Sequence, residues 1–275
     1  MGKSKRILQT IIKQVVCIAL SLLVLVPLYM VVINSFKTKG EAARMNLRFP
    51  TTWMFGNYAD VIQKAGLIRG FANSMIYALV ATFVGVIISA MAAFVLSRNR
   101  IRINRRLYYF FIIGLFFPVN YVTLVRVFQW FHLTNTRLGI ILVFISSMIP
   151  FCIFTIYSFV ESVPREIDEA AVIDGAGPLQ MFFRVDLPMM KPTIVTCFIL
   201  QFMGVWNDFL TPLYLSSKSS LFPMTMAVYQ FFGKNQQYWN YVFADIVMTL
   251  IPVIIVYFIG QRYLLEGTTG GSVKG

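Results

Sequence analysis

Twenty-six consecutive residues, Phe71 to Leu96, carry no charge. About 20 apolar residues in a helix cross the ~30 Å hydrocarbon core of a bilayer, so a run of this length sharply limits the fold. The chain repeats the feature. Val15 to Ile33 is a first uncharged run, and Leu107 to about Val125, Leu138 to Val160, Thr193 to about Ser217 and Tyr241 to Leu264 bring the predicted spans to six. None alternates with period two, which argues for helices and against a barrel. The expected fold class is therefore an all-α integral membrane protein with six transmembrane helices. Composition agrees, with 58% apolar residues, 26 Phe and only 13% charged residues in 275. The second span is rich in Ala, Gly and Ser, which let helices approach closely, so it is expected at the centre of the bundle.

A formal charge of +13 invites a nucleic-acid reading, but the basic residues flank apolar runs instead of forming one surface. The densest group is SRNRIRINRR after the second span, with Arg98, Arg100, Arg102, Arg105 and Arg106. Short basic turns between spans face the cytoplasm. Fourteen of the 24 Lys and Arg residues fall on that side and ten on the other, so both termini are expected inside. Residues 1–70 then hold the N-terminal tail, first helix and an external loop, residues 71–264 the core, and residues 265–275 a cytoplasmic tail. Gly2-Lys3-Ser4 has no upstream glycine or strand to make a phosphate loop, and Arg6 stands where myristoylation needs Ser or Thr. Cys17, Cys152 and Cys197 lie in apolar runs without paired spacing and read as small core residues.

The stretch Glu161 to Pro192 is different in kind. It holds six of the eleven acidic residues: Glu161, Glu166, Asp168, Glu169, Asp174 and Asp186. Hydrocarbon would not tolerate it, so it must meet water or another protein. Pro164 suits a first helical turn, and Glu166, Asp168 and Glu169 complement the positive end of a helix dipole. Asp174-Gly175 supplies a stop in which Gly takes positive φ. Pro178 starts a second helix through Phe182 and Phe183, expected to end at Leu187-Pro188 and again at Pro192. In the fifth span, Trp206, Asn207 and Asp208 form a polar group at membrane depth. They are either candidates for the solute path or a packing hydrogen bond.

Glu169-Ala170-Ala171, Asp174-Gly175-Ala176, Leu187-Pro188 and Pro192 together resemble the EAA loop of binding-protein-dependent ABC importer permeases. A lone Glu-Ala-Ala means nothing: Glu41-Ala42-Ala43 has no Asp-Gly following at the right distance. The likeness extends to Asn73-Ser74, Ala92-Ala93-Phe94 with Ser97-Arg98, Asn135-Thr136 before Gly139, Pro150-Phe151, and Trp206 to Leu210 with Pro212-Leu213. With Gln261-Arg262-Tyr263 and the closing Gly-Ser-Val-Lys-Gly, it is similar to the smaller, six-span subunit of maltose-type carbohydrate-uptake permeases.

The resemblance implies a type I importer permease (MetI-like) fold in the bacterial cytoplasmic membrane. It implies a sister permease, a dimer of ATP-binding subunits and an extracellular or periplasmic solute-binding protein as partners. ATP and Mg would belong to the ATPase, with no cofactor on this chain and no catalytic residue in it. Glu169, Ala170, Ala171, Asp174, Gly175, Ala176, Leu187 and Pro188 would couple it to the ATPase. A sugar or oligosaccharide is the expected cargo. Glycerol phosphate or a polyamine is the alternative, and an ion-coupled transporter is a more distant one.

Overall fold

The computed structural model describes residues 3–99, 101–231 and 237–269, so Arg100, Lys234 and the tail beyond Thr269 lie outside the described residues. In chain order the first helices are α1 (Lys3–Ser35), α2 (Lys39–Ala42), α3 (Gly56–Lys64), α4 (Leu67–Arg98) and α5 (Arg102–Ile113). Then come α6 (Tyr121–Trp130), α7 (Arg137–Ser162), α8 (Glu166–Ile173), α9 (Pro178–Met181) and a π-helical turn, Phe182–Asp186. The remainder is α10 (Leu187–Met189), α11 (Lys191–Asn207), α12 (Leu210–Leu215), two 3-10 segments and α13 (Trp239–Thr269).

Gln9–Ser35 of α1, α4, α7 and Trp239–Tyr263 of α13 are each long and apolar enough to cross a bilayer. Pro178–Met189 joined to Lys191–Asn207 through a 75° bend adds a fifth candidate. The segment expected as the third span appears as two shorter helices, α5 and α6. The break falls where Pro118 offers no N–H, and Asn120 restarts the chain by accepting the Thr123 N–H at 3.1 Å.

The chain divides into two compact units, Met1–Ile68 with Ala227–Ile251, and Arg69–Met226 with Pro252–Gly275. In the first, Asn57 is the brace. Its Nδ2 donates to the carbonyls of Ser35 at 2.8 Å and Lys37 at 2.9 Å, and its Oδ1 accepts from Asn240 Nδ2 at 2.9 Å. Phe36 packs against Trp53, Phe55 and Tyr58. Cys17, expected in a core, is exposed on α1, whereas Cys152 and Cys197 are buried.

In the second unit, the opening of α4 is tied down by polar side chains. Asn73 Nδ2 donates to the carbonyls of Ser220 at 2.9 Å and Phe222 at 3.0 Å, and Arg137 donates to Asn73 Oδ1 at 3.1 Å. Ser74 Oγ accepts the Met224 N–H at 2.9 Å, and the Tyr77 hydroxyl donates to the Leu221 carbonyl at 2.9 Å. These bonds satisfy backbone groups in and between the two short 3-10 segments, Ser219–Leu221 and Met224–Phe231, where no α-helical ladder supplies partners. Small residues bring helices together as expected: a Cβ on Gly85 would lie 2.4 Å from Met148 Sδ, and one on Gly260 would lie 2.5 Å from Ile199 Cδ1.

The turn into α7 is tighter still. Thr136 caps the helix by accepting the Gly139 N–H at 3.0 Å, and its hydroxyl donates to the Leu133 carbonyl at 2.6 Å. A Cβ on Gly139 would meet that same carbonyl oxygen at 2.1 Å, and backbone cannot step aside as a flexible side chain does. Gly139→Ala is therefore expected to destabilise the protein by about 1–3 kcal/mol through overpacking. Gly204→Ala, with nothing within 4 Å of the added carbon, should leave stability unchanged or raise it. Thermal unfolding of the detergent-solubilised variants, followed by Trp fluorescence, compares the two.

Candidate coupling surface and transport path

α8 begins with acidic side chains in its first turn, Glu166, Asp168 and Glu169, where the helix dipole favours them. It ends in a two-bond closure: the Gly175 N–H donates to Val172 O and the Ala176 N–H to Ala171 O, both at 3.0 Å. This is the Schellman arrangement, and it places Gly175 at φ +83°, a conformation that L side chains rarely adopt. No residue of α8 is buried, and Ile173 and Leu179 are 85% and 68% exposed. Glu169 and Ala170 point to solvent beside them. The expected site residues Glu169, Ala170, Ala171, Asp174, Gly175 and Ala176 thus lie on one short element. Large exposed apolar side chains on a polar connection are what an interaction surface, with a protein or a membrane, presents.

Leu187-Pro188 does something other than stop the second helix. Helical geometry runs on from α9 through the π turn into α10, and the bend comes later, at Met190. Proline cannot donate to the carbonyl one turn back and its ring crowds that carbonyl. The wider π turn accommodates this, with the Leu187 N–H reaching Phe182 O. Pro192 then sits in the first turn of α11, where a missing N–H has no cost.

The connection is anchored to the end of α4. Arg98 Nε lies 2.6 Å from Asp168 Oδ2, and Arg98 Nη1 donates to Val163 O at 3.2 Å. Ser97 Oγ pairs with Glu161 Oε1 at 2.7 Å, and Arg165 Nη2 reaches Ser97 O at 3.4 Å. Asp186 is 3% exposed, with Arg98 Nη2 4.0 Å away. Burial, reinforced by the negative charge of Asp168 and opposed by Arg98, pushes its carboxyl up to about 6. The sequence placed Ser97-Arg98 and the acidic stretch in the cytoplasm, but no spacing rule joins residues 70 apart in the chain.

The polar group near the end of α11 resolves into three separate roles. Trp206 is buried, edge-on to Phe71 at 5.8 Å between ring centres. Asp208 interrupts the span: its Oδ1 accepts the Thr211 N–H at 2.8 Å and its Oδ2 the Thr211 hydroxyl at 3.1 Å. That is a capping geometry, and it satisfies the start of α12 after the break. Asn207 is exposed, with its Nδ2 bonded to Met203 O at 2.9 Å. An apolar cavity of about 290 Å³ lies beside this helix, with Met75, Leu79, Phe198, Phe202, Val256 and Gly260 in its wall. Bar the Tyr263 hydroxyl it offers no hydrogen-bonding side chain, so it does not suit a polar solute.

Two features were not foreseen. Lys37, just past the first span, is 1% exposed, with Nζ bonded to Asn34 Oδ1 at 2.9 Å and to Asn46 O and Oδ1 at 2.9 and 2.8 Å. Asp245 in α13 is fully buried, and neither carboxylate oxygen has a hydrogen-bond partner among the described residues. The stray Glu41-Ala42-Ala43 is also explained. α2 is four residues long, Ala42 is wholly buried, and Glu41 Oε1 accepts the Thr51 hydroxyl. Of the three residues only Ala43 is exposed.

Residues 85–269 match the family described as binding-protein-dependent transport system inner membrane component. The chain belongs to that family: it is a membrane permease subunit of an ABC importer, and ATP hydrolysis is the work of a partner subunit. It is 37% identical over 262 residues to the diacetylchitobiose uptake system permease NgcG of Streptomyces coelicolor, covering 92% of this chain and 85% of that one. It is 31% identical to the probable starch degradation products permease AmyC of Thermoanaerobacterium thermosulfurigenes, covering 94% of each. Among solved structures, a bacterial ABC transporter involved in alginate import superposes with a TM-score of 0.83 at 24% identity, over 96% of this chain and 98% of that one.

The raised Asp186 carboxyl carries a sign. A folded-state value near 6 against an ordinary 3.8 means that the folded protein binds this proton more tightly than the unfolded chain. Its contribution to stability is fully present below the ordinary value and is lost as pH rises through about 6. The unfolding temperature of Asp186→Asn should therefore fall less than that of the parent protein between pH 5 and pH 7.

Proposed function

We propose that the chain is one half of the translocation path of an ATP-driven importer for a sugar or oligosaccharide. It pairs with a sister permease, docks a dimer of ATP-binding subunits through α8, and receives its solute from an external solute-binding protein. The observation that carries the docking half is α8 itself, a helix with no buried residue, closed by a glycine turn and backed by Arg98. What supports the cargo is the pair of relatives named for diacetylchitobiose and for starch degradation products.

In this reading residues 71–264 form the permease core, with 161–192 as its cytoplasmic coupling loop. Both termini face the cytoplasm, in keeping with the arginines that follow α4. Ala170 and Ala171 are small enough for a partner surface to approach α8 closely, and Glu169 supplies an exposed charge at its edge. Closure of the ATPase pair draws the coupling helices together, and the π turn and α10 carry that motion into α11. Asn207, exposed at the end of α11, is the better solute contact of the polar pair, since Asp208 is engaged in capping.

Two experiments test this. Gly175→Val forces a β-branched residue into the left-handed region at about 1–2 kcal/mol, so co-purification of the ATP-binding subunit should fall about tenfold while membrane insertion stays intact. Normal co-purification would refute docking through α8. For the path, reconstituted uptake of diacetylchitobiose and maltooligosaccharides should be slowed by Asn207→Ala. Asp208→Asn keeps an acceptor for Thr211 and removes the charge; unchanged apparent affinity and rate in that variant would take Asp208 off the path.

A further inference from the structure

Arg98 stands where three elements meet: the end of α4, the coupling helix α8 and the π turn before α11. It belongs to α4, forms an ion pair with Asp168 of α8 with Nε 2.6 Å from Oδ2, donates from Nη2 to Asp168 Oδ1 at 3.4 Å, and holds the backbone between α7 and α8 through Val163 O. Asp186 faces the same guanidinium from the π turn at 4.0 Å, beyond hydrogen-bonding distance yet within reach of a small shift. Its Oδ2 is buried and has no hydrogen-bond partner among the described residues. A buried carboxylate oxygen without a hydrogen bond, beside a guanidinium whose own Nε also lacks one, calls for an explanation.

We propose that Arg98 is a positioning residue with two seats, bonded to Asp168 in the state described here and transferred to Asp186 when α8 is drawn toward the ATPase. The inference rests on the docking reading of α8 and goes further, assigning the contact through which α8 moves α4 and α11 in step. Three features fit a two-seat arrangement. A guanidinium has five donors in a planar fork and can release one carboxylate while engaging the next. Asp168 and Asp186 lie on opposite sides of the Gly175 turn, so movement of α8 changes one distance without changing the other equally. Phe94 of α4 packs on Phe182 at 5.5 Å between ring centres, which keeps the π turn against α4 while α8 moves. The other charged side chains at this junction are already engaged, Glu161 with Ser97 Oγ and Arg165 with Ser97 O.

The test uses the complete complex, with sister permease, ATP-binding subunits and solute-binding protein, reconstituted in vesicles. ATP-subunit retention and MgATP turnover are read together, so no knowledge of the cargo is needed. Arg98→Gln and Asp186→Asn should each retain the ATP-binding subunits and lower turnover about tenfold, within the usual range of coupling energies. Arg98→Lys, which keeps the charge but loses the fork, should recover only part of that loss and turn over MgATP about threefold more slowly than the parent. Parent-level turnover in either Arg98→Gln or Asp186→Asn overturns the proposal. Loss of the ATP-binding subunits from both Arg98 variants also overturns it, making Arg98 a prop for the docking surface. A Gly175→Val complex with full retention and turnover instead refutes the docking reading on which the proposal stands.

Discussion

A bilayer offers the backbone no water, so each N–H and C=O that crosses it must find its partner nearby. The architecture follows from that constraint. Long helices solve the problem over most of their length, and each interruption needs its own solution. At Asn120 and Asp208 a side chain restarts the helix. Ahead of Pro188 the chain widens by one residue into a π turn. At the mouth of α4, Asn73, Ser74 and Tyr77 provide partners for backbone groups in and between the two 3-10 segments. The polar residues of the apolar stretches are therefore chiefly repairs to the backbone, and the few that remain over are the informative ones.

That division explains what could be read from the chain alone. Long apolar runs and the arginine cluster are local signals with a direct physical meaning, and they locate the four long helices α1, α4, α7 and α13. Pro164, Asp174-Gly175 and Pro178 are equally local, which is why the short helix α8 and its glycine turn were visible in advance. The π turn was not, because Pro188 reads as a stop and only the three-dimensional path shows that one extra residue absorbs it. Asp208 was ambiguous for a different reason. A carboxylate at depth reads alike whether it caps a helix or contacts a solute, and only the Thr211 bonds separate the two.

Long-range polar contacts were the least accessible. Lys37 looked like the first residue of an external loop, yet three acceptors hold it in the interior of its unit, and burial pushes its ammonium pKa down with Glu41 opposing. Arg98 looked like one arginine among five and, among the described residues, is the one with two carboxylates within 4.0 Å of its guanidinium. In both cases what matters is where distant segments come together, and hydropathy is silent on that. Family membership settles how the chain is powered.

The π turn constrains this part of the chain in one more way. Each residue added to or removed from a helix turns everything beyond it by about 100°. Asp186 sits at the end of the widened turn, so a one-residue insertion or deletion between Gly177 and Asp186 would swing its carboxylate away from α4 and turn Pro188 against its neighbour. Surface connections usually tolerate changes of length. This one is a gauge block: its composition can drift along the exposed side, but its residue count is fixed by the angle at which it must deliver a single charge.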